Sequence, residues 1–165
     1  MEPDIRWITA VFGTPETREE RRSHIGVPGS GRSALQKMAD ELIGTQGQVA
    51  LYVPEGTDEV YRPGDKRGRV IAAVKLLEMP PGRKMDDYFY DDWDGKRRWP
   101  IGWPCQLILA PPQHECPPLR DHVEHLFRTG SFGPYLARLQ KGPFSLDAAM
   151  RERLNRDFAG HCPLP

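Results

Sequence analysis

The sequence predicts an α+β domain built on a small, strongly bent sheet or open β-barrel with flanking and C-terminal helices. Three observations lead there. Residues 5–12 and 48–53 alternate between two faces, the period of a strand with a buried face, and further strands are expected at about 69–78 and 103–109, bounded by turn residues. Two stretches, 33–43 and from 145 onward, place apolar residues every third or fourth position, the period of a helix. A fifth of the chain is turn-forming, with 17 Pro and 16 Gly among 165 residues, which excludes long-helix architectures and implies frequent reversals.

The first strand places Ile5, Trp7, Thr9 and Val11 opposite Arg6, Ile8, Ala10 and Phe12. Residues 13–32 hold Gly13, Pro15, Gly26, Pro28, Gly29 and Gly31 and read as a long loop. Ser33 with Gln36 reads as a capping box, Leu35, Met38, Leu42 and Ile43 form one face, and Gly44 occupies the position of a C′ glycine, so a helix is expected over 33–43. Val49, Leu51 and Val53 then alternate with Gln48, Ala50 and Tyr52. A turn-rich connection leads to the strand at 69–78, a loop at 79–100, and a strand ended by Pro111-Pro112. Beyond Pro117-Pro118, helices are expected at Leu119 to Phe127, at 133–140, and from Ser145 with Leu146, Met150, Leu154 and Phe158 every fourth residue. The chain reads as one domain over 1–165, with the barrel at about 5–110 and a helical extension at about 118–160.

Lys+Arg and Asp+Glu balance at 23 each, so overall charge steers the chain towards neither nucleic acid nor membrane. No run approaches the roughly 18 apolar residues that a membrane span needs, so no membrane partner is expected. The opening MEPDIRWITAVF carries acids and no small-residue cleavage site, which points to a cytoplasmic protein. Cys105, Cys116 and Cys162, odd in number and widely spaced, fit reduced thiols.

The chemistry concentrates at 88–103, where Tyr88, Phe89, Tyr90, Trp93, Trp99 and Trp103 mix with acids and with Lys96, Arg97 and Arg98. Such rings either close the core or line a pocket for a planar ligand, and adjacent cations suit a phosphate beside a stacked base. A second basic cluster, RPGDKRGR at 62–69, reads either as a solvated turn or as a polyanion contact. His114, Cys116, His122, His125, His161 and Cys162 match no familiar zinc spacing, and the acids Asp86, Asp87, Asp91, Asp92 and Asp94 read as a solvated loop, so no metal and no cofactor is expected. Cys105, among apolar neighbours, reads as an inert core thiol. Gly26, Gly29 and Gly31 precede a helix as in a phosphate cradle, without the Lys-Ser/Thr pair that would complete one.

Over about residues 6–110 the chain resembles the EVE domain family of the PUA-like superfamily, relatives of YTH and ASCH domains. The matching segments are RWITAVFGTP, the helix SALQKMADEL, the tyrosine strand GQVALYVPEG, RGRVIAAVKLLEMP, and the Trp-containing KRRWPIGWPCQLILAPP. The tail KGPFSLDAAMRERL is similar to the closing helix of many such proteins. Where the family carries Gly-Asp and His-Ser around its tyrosine strand, this chain has Gly47-Gln48 and Val53-Pro54.

The resemblance implies a non-catalytic module that binds DNA or RNA and reads a flipped-out, methylated or otherwise modified base in an aromatic cage. Trp7, Tyr52, Tyr90, Trp93, Trp99 and Trp103 are the expected cage, of which two or three rings face the base and Trp7 is the first expected to be core. Arg67, Arg69, Arg97 and Arg98 are expected on phosphates. Two alternatives stand beside this reading. One is an ASCH-like hydrolase of a modified nucleoside using Lys75 or a loop acid; the other is a protein or small-ligand module without nucleic acid. An effector protein as second partner is left open.

Overall fold

Each of the four strands expected from the sequence forms. The structure, a computed structural model, describes residues 3–11, 23–53, 68–91, 95–111, 115–119 and 141–160. The expected helices at 119–127 and 133–140 lie almost wholly outside these residues, as do His114, His122, His125, His161 and Cys162. The described elements are β1 (Ile5–Ala10), β2 (His24–Val27), α1 (Arg32–Leu42), β3 (Gln48–Tyr52), β4 (Val70–Leu76), β5 (Ile101–Leu109), β6 (Phe144–Ser145) and α2 (Ala148–Phe158).

The strands form one mixed, open sheet in the order β2-β5-β4-β3-β1-β6, with β1 and β3 parallel and every other pair antiparallel. It is α+β as expected, and it is not closed into a barrel. β5 changes partner along its length, its first half pairing with β2 from Ile101 to Pro104 and its second half with β4 from Cys105 to Leu109. Pro104 sits at the changeover. Its carbonyl accepts from the Leu77 N–H just past the end of β4, so the donor that proline lacks falls where the β4–β5 ladder has already stopped.

Strand alternation sends side chains to both faces, and each face has its own helix. Val49, Leu51, Ala72, Val74, Ile101 and Trp103 pack with Leu35, Met38, Ala39 and Leu42 of α1. Ile5, Ile8, Ala50, Tyr52, Ala73 and Leu109 pack with Met150, Leu154 and Phe158 of α2. The Asn155 amide joins α2 to the sheet end to end, accepting from Ile5 N–H at 2.7 Å and donating to Ile5 C=O at 3.3 Å.

Three local expectations need correction. The loop expected over 13–32 contains β2, a strand too short and too glycine-bearing to show alternation. The capping box at Ser33 does not form, because a 3-10 turn at Gly29–Gly31 runs directly into α1 and the Arg32 N–H is taken by Gly29 C=O. Gln36 instead donates to Asp40 one turn on, at 2.8 Å. The last helix starts after Ser145, which belongs to β6, and is capped by Asp147 accepting from Met150 N–H. Gly44 behaves as expected, with φ +85° after the last turn of α1.

Candidate functional site

The aromatic loop reaches its position because two glycines let the backbone approach closely. Ile25 and Val27 of β2 point into the α1-side core, so His24 and Gly26 face the other way. A β-carbon on Gly26 would lie 2.8 Å from the Tyr90 ring and 3.3 Å from Trp99 Cβ; Gly26 is thus a flat seat for the loop. Gly102, its partner in β5, is pressed against the carbonyls of Ile25 and Tyr88. Tyr90 N–H then donates to Trp99 C=O at 2.9 Å, closing the loop on itself.

On this seat the rings gather. Tyr90 stacks on His24 with centroids 4.1 Å apart and planes 8° from parallel, and Tyr88 meets the same imidazole edge-on at 5.7 Å. His24 Nε2 lies 3.3 Å from the Phe89 carbonyl, which can only accept, so Nε2 carries the proton. Nδ1 then accepts from Ser23 Oγ at 3.1 Å, while Tyr90 Oη donates to the His24 carbonyl at 3.1 Å. His24, Tyr88, Phe89 and Tyr90 are all half-buried. The Arg97 guanidinium lies over Phe89, 3.5 Å from its centroid, and pairs with Asp91 at 2.9 Å, which holds the Asp91 carboxyl below its ordinary range.

The residues expected in the cage do not share one mouth. Trp7, Tyr52, Trp99 and Trp103 retain only 3%, 2%, 5% and 6% exposure, too little for any of them to stack a base as they stand. Trp7 and Trp103 belong to the α1-side core, where their indole N–H groups donate to Glu41 at 2.9 Å and to Leu77 C=O at 2.7 Å. Tyr52 follows the opposite phase of β3 and lies in the α2-side core. Trp99 backs the loop through Gly26, so Tyr90 alone of the five described rings is both at the loop and open to solvent. Trp93 lies outside the described residues.

Of the arginines, Arg67 lies outside the described residues and Arg98 is exposed. Arg69 donates to Cys116 C=O at 2.6 Å and bridges to Pro118, which ties the start of β4 to the segment 115–119. Lys75 is half-buried opposite Gln106 in the β4–β5 ladder. His24 carries no sign of a site in the sequence beyond Gly26 two positions on, which reads as an ordinary loop glycine until β5 is paired against it, whereas Tyr88 and Phe89 belong to the aromatic segment 88–103 and stood outside the expected cage.

Among the described residues no group of three His, Cys, Asp or Glu is placed to hold a metal ion, and no helix is long and apolar enough to cross a membrane. Cys105 and Cys116 are buried free thiols. Burial pushes the Cys105 thiol up to about 12 from 9.0. The folded chain therefore keeps its proton while the unfolded chain releases it, so this contribution to stability is intact below pH 9.0 and is lost between there and about 12. Cys105 is expected to resist a thiol-specific reagent at neutral pH until the protein is unfolded in denaturant. Mass spectrometry of the labelled peptide checks this, and rapid native labelling would contradict it.

Compared with known proteins, the chain matches no family model and no curated protein.

Proposed function

We propose that this chain is a non-catalytic nucleic-acid-binding module of the EVE type, in the PUA-like superfamily, that reads a modified, methylated base in DNA or RNA. The observation that carries the reading is the half-buried cluster in which the Tyr88 and Tyr90 rings meet His24, with Phe89 between them in the chain and Arg97 laid on the Phe89 ring. Rings next to cations match the two halves of a nucleotide, since a base stacks on a π-face for about 1–3 kcal/mol and an arginine holds its phosphate. Reading a methyl group rests on about 0.8 kcal/mol per buried carbon, so the rings must close on the base from more than one side. The open mixed sheet with two helices is compatible with a small bent-sheet fold.

The test is a titration series with single- and double-stranded oligonucleotides, each with and without 5-methylcytosine or N6-methyladenine. The expected result is binding that prefers one methylated form. Tyr90→Ala and Gly26→Ala, the latter forcing Tyr90 off its seat, are expected to lose that preference while circular dichroism shows the fold intact. Replacing Arg97 and Arg98 is expected to weaken binding to all sequences and to flatten its salt dependence. No binding to any oligonucleotide overturns the reading. Turnover of a modified nucleoside, followed by chromatography, would replace it with the hydrolase.

A further inference from the structure

We propose that Asp91 is a built-in competitor for nucleotide phosphate on Arg97. The proposal rests on the nucleic-acid reading above and adds to it a residue that sets the affinity of the site.

The Arg97 guanidinium has a seat before any ligand arrives, because its central carbon lies over the Phe89 ring, 3.5 Å from the centroid. Asp91 meets it side-on with both carboxylate oxygens, Oδ1 2.9 Å from Nε and Oδ2 3.4 Å from Nη2. That two-point approach to one edge of a guanidinium is the geometry a phosphate also takes. The side chains of Arg97 and Asp91 are 50% and 43% exposed, so an anion reaches this edge without opening the core. Asp91 is the only hydrogen-bonding partner of Arg97 among the described residues. The exchange is a simple substitution in which the carboxylate leaves the Nε–Nη2 edge as phosphate oxygens take it.

Arg32 and Asp86 form a comparison inside the same molecule. Their ion pair is equally short, 2.9 Å, and equally exposed at 54% and 46%, and no ring lies under the Arg32 guanidinium among the described residues. Removing the charge of Asp86 changes the net charge as much as removing that of Asp91, but frees no ring-seated arginine.

The experiment measures binding of a fluorescein-labelled single-stranded oligothymidylate of about ten nucleotides to four proteins: the parent, Asp91→Asn, Asp86→Asn, and Asp91→Asn combined with Arg97→Gln. Near-UV circular dichroism verifies that each is folded. The expected result is a dissociation constant about threefold lower for Asp91→Asn, the scale on which an exposed ion pair competes, with little change for Asp86→Asn and loss of the gain in the double variant. If Asp91 merely braced the loop, Asp91→Asn would bind more weakly. Binding by the parent with no gain, or a loss, in Asp91→Asn overturns this proposal and leaves the nucleic-acid reading standing. Absence of binding by all four proteins overturns this proposal, and the nucleic-acid reading falls with it when the methylated oligonucleotides of the titration series are also unbound.

Discussion

Gly102→Ala is expected to cost about 3 kcal/mol of stability or more, at the upper end of what overpacking does. A β-carbon there is driven against the carbonyls of Ile25 and Tyr88 at once. Neither is the free end of a flexible side chain. One belongs to β2 and the other to the loop carrying the rings, so relief requires parting β2 from β5 or lifting the loop off the sheet. Urea denaturation followed by tryptophan fluorescence gives the shift. Gly160→Ala is the control, since a β-carbon at that position meets nothing within 4 Å, and it is expected to stay within about 0.5 kcal/mol of the parent. Equal stability of the two variants would mean that β2 and the aromatic loop are not packed on β5 in this way.

Phe158→Ala is expected to cost about 4 kcal/mol, the range for emptying a fully enclosed aromatic site. Phe158 has no exposed surface and closes the α2-side core with Ile5, Ile8, Met150 and Leu154. The cavity would open between α2 and the sheet, where Asn155 already fixes the helix by its paired bonds to Ile5 and leaves it little freedom to sink inward. A loss below about 1 kcal/mol, measured in the same urea titration, would show that α2 does not cover this face.

The parts of this fold that were legible in the sequence are those where one residue type repeats with a fixed period. The two-faced pattern in β1 and β3 and the fourfold spacing of Leu146, Met150, Leu154 and Phe158 follow from which side faces a core, and local sequence records that directly. β2 was not legible because its four residues are defined by their partner in β5 and carry a glycine that serves contact with Tyr90 and Trp99. The helix start was misread for a related reason: the 3-10 turn before α1 supplies a backbone acceptor, and the serine that looked like a cap was not needed.

The candidate site shows the same limit. The segment 88–103 was identified from its aromatic density, but density does not say which face each ring takes. Trp7 and Tyr52 were grouped with the loop because their strands adjoin, and Trp103 because it flanks the entry to the final strand; strand phase instead sends Trp7 and Trp103 into one core and Tyr52 into the other. What remains at the surface, Tyr88, Phe89 and Tyr90 around His24, is a tertiary arrangement that depends on two paired glycines lying opposite each other.

The central claim is that a base stacks on this ring cluster, and the most direct measurement is an NMR titration of the ring protons. His24, Tyr88, Tyr90 and the four tryptophans are assigned, and a single-stranded oligonucleotide carrying one methylated base is added. The His24, Tyr88 and Tyr90 resonances are expected to move furthest, shifted upfield by a stacked base, while those of Trp7 and Trp103 stay in place. Shifts confined to other parts of the molecule, with the His24 and Tyr90 rings unmoved at saturation, would contradict the claim.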